Sequence, residues 1–174
     1  MFRRNKSLHG EFHRAMDSII ADITQTTYLP APVVWARLFG ALLFGAIIGF
    51  EREMKSRPAG LRTHALVSTA AAAFALLATE VIHSDSLGDN EVRIDPLRVI
   101  EAVTAGVAFL AAGFIVFAKG EVKGLTTGAG VWLAAAIGLS IGFGYWMIAV
   151  PAAVLGVLVL TLLRKFETIT SLKE

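Results

Sequence analysis

Between Gly45 and His64 the chain leaves one apolar block, crosses a dense cluster of charge, and enters a second apolar block. The segment reads Gly-Ala-Ile-Ile-Gly-Phe-Glu-Arg-Glu-Met-Lys-Ser-Arg-Pro-Ala-Gly-Leu-Arg-Thr-His, with Pro58 and Gly60 forming its turn. A hydrocarbon bilayer exacts several kcal/mol for each unsatisfied polar group. A charged hairpin held between two spanning helices therefore marks a topology anchor, a working site, or both. The whole chain fits lipid as its solvent. Of 174 residues, 55% are hydrophobic and 17% charged, against about 25% charged in a soluble domain.

The bilayer core, about 30 Å thick, needs about 20 helical residues to cross. Apolar blocks at Val33–Phe50, Ala65–Ile82 and Val99–Ala118 come close to that length. The tract from Leu125 to Leu163 is nearly twice as long and is broken by Gly142-Phe-Gly-Tyr145. It divides into helices over 125–141 and 145–163. The expected architecture is an all-α bundle of about five transmembrane spans in residues 33–163. Residues 1–32 form an N-terminal extension and 164–174 a short tail.

Basic residues cluster at alternate ends of these blocks: Arg52, Lys55, Arg57 and Arg62, then Lys119 and Lys123, then Arg164 and Lys165. The positive-inside rule places those loops and the C-terminus in the cytoplasm and the N-terminus outside. Tyr28, Trp35, Tyr145 and Trp146 then share the outer interface. Arg3, Arg4 and Lys6 run against this orientation but lie beyond the residues that weigh most. The same clustering argues against nucleic-acid binding, which needs a basic face rather than basic helix ends. Phe12, Met16, Ile19, Ile20 and Ile23 recur at helical spacing within the extension. They fit an amphipathic helix on the membrane surface or an ordinary tail.

Two polar sets stand out. At the inner side, Glu51, Arg52, Arg62, Thr63 and His64 face the start of the fourth span at Thr126 and Thr127. Anchoring and capping account for the lysines but leave the carboxylates around Arg52 unexplained, so a specific polar network or binding surface is expected there. His64 has no second histidine or cysteine at ligand spacing, and no metal site is assigned. Nearer the outer side, Arg37, Glu80 and Glu101 interrupt three spans at one depth. They suit a helix-clamping ion pair centred on Arg37, a cation entry site made by the two carboxylates, or side chains that snorkel to water. Small residues, among them Gly45, Gly49, Gly106, Gly113, Gly138 and Gly142, mark faces for close helix packing, with a homodimer seam as the alternative. Trp132, well inside the fourth span, reads as a packing residue. Gly138-Leu-Ser-Ile-Gly142 matches the G-x-S-x-G pattern of serine hydrolases, but a serine in a glycine-rich helix commonly bonds the preceding turn, and no enzyme is inferred.

The chain resembles the MgtC/SapB family of bacterial membrane proteins. The resemblance rests on four blocks in family order: Gly45–Glu53, Pro58–Val67, Gly106–Ile115 and Gly124–Gly138. Ala108 and Ala111 replace glycines usual in the third. The chain looks like a short form without the soluble C-terminal domain of virulence-type members. What the resemblance implies is an inner-membrane protein tied to adaptation to low Mg²⁺ and, in pathogens, to survival inside host cells. It would act as a regulator of other membrane proteins, with ATP synthase the partner implied. A carrier of Mg²⁺ or another small ion is the alternative, and a structural or lipid-associated protein the third. No cofactor is expected, and Mg²⁺ binding is left open.

Overall fold

The computed structural model describes residues 3–24, 26–83, 95–118 and 121–163. Six helices follow in order: α1 (Arg3–Ile23), α2 (Ala31–Glu53), α3 (Leu61–Ile82), α4 (Pro96–Ala112), α5 (Leu125–Gly142) and α6 (Trp146–Leu158). A two-stranded antiparallel sheet, β1 (Val116–Ala118) with β2 (Glu121–Lys123), joins α4 to α5. The last turn of α6 widens into a π-helical turn at Val159–Leu163.

Local chemistry sets most of the boundaries. Pro30 and Pro32 open α2, where missing N–H groups cost nothing. Asp95 caps α4, its carboxylate accepting from the Leu97 N–H at 2.9 Å, and Pro96 takes the first helical position. α5 closes with a Schellman motif. Gly144 adopts φ +89°, Tyr145 N–H donates to Ser140 C=O at 2.7 Å, and Gly144 N–H donates to Ile141 C=O at 2.9 Å. The apolar block over 99–118 does not remain helical throughout. Its helix ends at Ala112, and the β-branched and aromatic run beyond it pairs as a strand.

Helices α2, α3 and α5 form the centre of the bundle, with α4 beside α3 and α5, and α6 beside α5 and α2. The centre is built from small residues: Ala41, Ala72, Ala75, Ala134 and Ala135 are buried with Ile48, Ile137 and Ile141. α3 lies between two glycine faces. A methyl group on Gly45 of α2 would fall 2.6 Å from the His64 carbonyl oxygen, and one on Gly138 of α5 would fall 2.8 Å from Ser68 Cα. Gly49 and Gly142 extend the same contacts toward either end of α3. Lipid tails are as apolar as leucine, so such helices associate by close packing rather than by excluding water. The outward face matches that solvent, with Phe39, Leu43, Phe74, Phe109 and Met147 all exposed. Trp132 is 46% exposed on α5, further from the packing core than its position along the helix implied.

α2, α3 and α5 are each long and apolar enough to cross a membrane. The described side chains of α1, from Glu11 onward, are exposed, including the apolar stripe Phe12, Met16, Ile19, Ile20 and Ile23.

Candidate functional site: a latch at the end of α2

The charged cluster occupies the last turn of α2 and the two residues after it, from which three side chains each reach a different helix. Arg52, 3% exposed, donates from Nη2 to the Thr126 carbonyl in the first turn of α5 at 2.9 Å. Glu53 turns the other way and accepts from the Leu61 N–H at 3.0 Å, capping α3 with a carboxylate where the helix dipole favours negative charge. Lys55 donates to the Leu160 carbonyl at 3.3 Å, at the end of α6, where the dipole favours a cation. Glu51 stands behind the other two. Its carboxylate pairs with Lys55 and lies 3.7 Å from Arg52 Nε.

His64 completes the node from α3. Its Nδ1 lies 2.8 Å from the Gly60 carbonyl. A carbonyl accepts only, so Nδ1 carries a proton and, in the neutral ring, Nε2 is left as an acceptor. His64 is fully buried, and Nε2 has no hydrogen-bond partner among the described residues. Ser68, one turn further along α3, is also fully buried, with Oγ unpartnered in the same sense. Both groups sit against α5, His64 over Gly130 and Ser68 over Gly138. Thr127 is buried in the same first turn of α5 whose Thr126 takes part through its backbone oxygen.

Of the inner set read from sequence, the structure thus brings Glu51, Arg52, His64 and Thr127 together. Thr63 is half-buried, and Arg62 points away. Arg57 and Arg62 are both exposed and make no side-chain hydrogen bond or ion pair among the described residues. Glu53, Lys55, Ser68 and Gly130 belong to the node as well. Two of these carried a signal: Ser68 lies four residues after His64 on one helical face, and Gly130 extends the four-residue spacing of Ala134, Gly138 and Gly142.

The other polar set is dispersed. Arg37 donates to the Gly142 carbonyl at 2.9 Å and closes the end of α5. The Glu80 carboxylate accepts from the backbone N–H groups of Tyr28 at 2.6 Å and Leu29 at 3.0 Å. It thereby fixes the strap leading into α2, whose Tyr28 ring stacks on His83. Glu101 is exposed on α4. No ion pair joins these three among the described residues. Of the packing glycines, Gly106 meets nothing within 4 Å, and Gly113 meets only the Leu110 carbonyl. Ser140 bonds its own preceding turn at Ala136. Among the described residues no group of three or more His, Asp or Glu side chains is placed to hold a metal ion.

A bundle of long apolar helices, sealed at one end by buried charge, defines a multi-pass membrane protein. The chain belongs to the MgtC family, whose model matches residues 38–169. It is 38% identical over 124 residues to an Escherichia coli K12 protein named as a candidate magnesium transporter, YhiD, covering 71% of this chain and 57% of that protein. Identity to protein MgtC of Brucella abortus is 42% over 130 residues, covering 74% of this chain and 50% of the relative. Protein SrpB of Synechococcus elongatus is 34% identical over 147 residues, with 79% of each covered. The chain thus spans about half the length of the first two. No solved structure shows significant similarity. Family and helices together place it in the bacterial inner membrane.

Proposed function

We propose that this chain serves bacterial adaptation to low Mg²⁺ by engaging another protein of the inner membrane, rather than by carrying Mg²⁺ itself. Five spans, α2 to α6, cross the bilayer, and the charged end of α2 faces the cytoplasm with the C-terminus, as the loop charges favour. The N-terminal helix α1 lies on the opposite surface with its apolar stripe in the interface. Family membership and the name of the Escherichia coli relative support the link to magnesium.

The observation that carries the reading is the use of charge. Arg52, Glu53 and Lys55 are each committed to a helix end or a backbone carbonyl of a neighbouring helix. From the latch toward the opposite end, the centre changes to Ala71, Ala72, Ala75, Ile137 and Ile141, with no further buried carboxylate among the described residues. An ion path needs acidic or carbonyl-lined steps near the midplane. Arg57 and Arg62 stay exposed beside the latch and available to a partner's carboxylates. ATP synthase is the partner that the family resemblance suggests.

The test is Mg²⁺ uptake into proteoliposomes holding this protein alone, beside the Glu80→Gln/Glu101→Gln double variant. The expected result is no uptake above empty vesicles, together with loss of growth at low Mg²⁺ in an Arg62→Ala strain. Uptake by the wild type that the double variant lacks would establish a carrier and overturn the proposal.

A further inference from the structure

α3 and α4 run side by side but do not close on each other. The groove between them has a volume of about 1170 Å³. Its walls are aliphatic and small, with Ala70, Phe74 and Leu77 on α3 facing Ala102, Gly106 and Leu110 on α4. Polarity enters at one end only, where Asp95 and Arg98 stand at the mouth. Asp95 Oδ1 is occupied by the Leu97 N–H. The two residues form no ion pair with each other, and Arg98 is exposed with no side-chain partner among the described residues. Gly106, midway along, has nothing within 4 Å of where a side chain would begin.

We propose that this groove binds one phospholipid with a zwitterionic, primary-ammonium headgroup. The phosphate pairs with the Arg98 guanidinium, the ammonium with the second carboxylate oxygen of Asp95, and an acyl chain lies along Ala102 and Gly106. The depth fits. From Arg98 to Leu110 the helix rises about 18 Å at 1.5 Å per residue. A single leaflet contributes about 15 Å of a 30 Å hydrocarbon core. A partner helix would have to cross the whole core and lay its apolar face on both charges. A lipid needs only one leaflet and brings both complementary charges to the mouth, as headgroup pockets between transmembrane helices do. The inference holds for either orientation of the protein, because each leaflet presents its headgroups to its own surface.

The experiment is native mass spectrometry of the detergent-purified protein, titrated with phosphatidylethanolamine or phosphatidylglycerol of matched chains. The wild type is expected to retain one phosphatidylethanolamine per chain, about fivefold in preference to phosphatidylglycerol. Gly106→Leu starts its side chain in open space and fills the groove, and should lower retention about tenfold at unchanged thermal stability. Asp95→Asn preserves the helix cap and should erase the preference between the two lipids. Arg98→Gln should weaken both. Equal retention of the two lipids by the wild type would overturn the headgroup assignment. Unchanged retention in Gly106→Leu, or a lipid-free dimer burying this groove, would overturn the site.

Discussion

The His64 ring edge lies directly over Gly130. A methyl group at Gly130 would stand 3.1 Å from His64 Nε2, and 3.5 and 3.7 Å from Arg52 Nε and Nη2. The absence of one side chain on α5 thus lets a histidine from α3 and an arginine from α2 meet in the same place. Gly130→Ala should cost about 1 kcal/mol and Gly130→Leu about 3 kcal/mol, the usual range for overpacking a tight interior. Reversible unfolding in mixed micelles measures both, and a leucine variant as stable as wild type would mean that the helices are not so closely set.

Gly138 and Gly106 carry the same residue with opposite consequences. Gly138→Val drives a branched side chain into Ser68 and should destabilise by about 3 kcal/mol. Gly106→Val enters open space and should stay within about 0.5 kcal/mol. Thermal unfolding in detergent separates them, and equal losses would remove the distinction between the two helix faces.

Arg52→Met leaves the buried Glu51 carboxylate without its second cation and the Thr126 carbonyl without its donor. Removing one partner of a buried pair costs about 3–5 kcal/mol. Arg52→Lys should recover only part of this, since an ammonium cannot reproduce the guanidinium fork. The double variant Arg52→Met/Glu51→Gln should be more stable than Arg52→Met alone. If the double variant is no better than the single, Glu51 is not the group left stranded.

Glu80→Ala should act locally. Its carboxylate holds two backbone N–H groups of the strap before α2, and charge-assisted bonds of this kind are worth about 1.5–3 kcal/mol each. Hydrogen exchange at Tyr28 and Leu29 is expected to accelerate by about tenfold or more, with amides in the middle of α3 and α5 unchanged. Uniform acceleration through the bundle would make Glu80 a global rather than a local tie.

Arg62→Ala separates function from fold. The side chain is exposed and touches no described partner, so stability should stay within about 0.5 kcal/mol. Growth at low Mg²⁺ should nevertheless be lost. Normal growth with a stable, inserted variant would reduce this arginine to a topology signal.

Much of this protein is legible in one dimension. Block length and charge deficit determine a helical membrane chain, because the bilayer admits few other ways to satisfy a backbone. The motif order determines the family, and the charge cluster marks the end of α2 as the polar pole. What tertiary structure alone decided is which partner each charge takes. Arg37, Glu80 and Glu101 share a depth in sequence, yet they end on a helix terminus, a backbone strap and an exposed face. Glu51 through Lys55 read as one cluster and divide among three helices. The physical reason is rotation. Sequence spacing reports how residues are arranged around a single helix axis. Which neighbour each face meets depends on the close approach of small residues across several helices, and that is settled only when α2, α3 and α5 pack together.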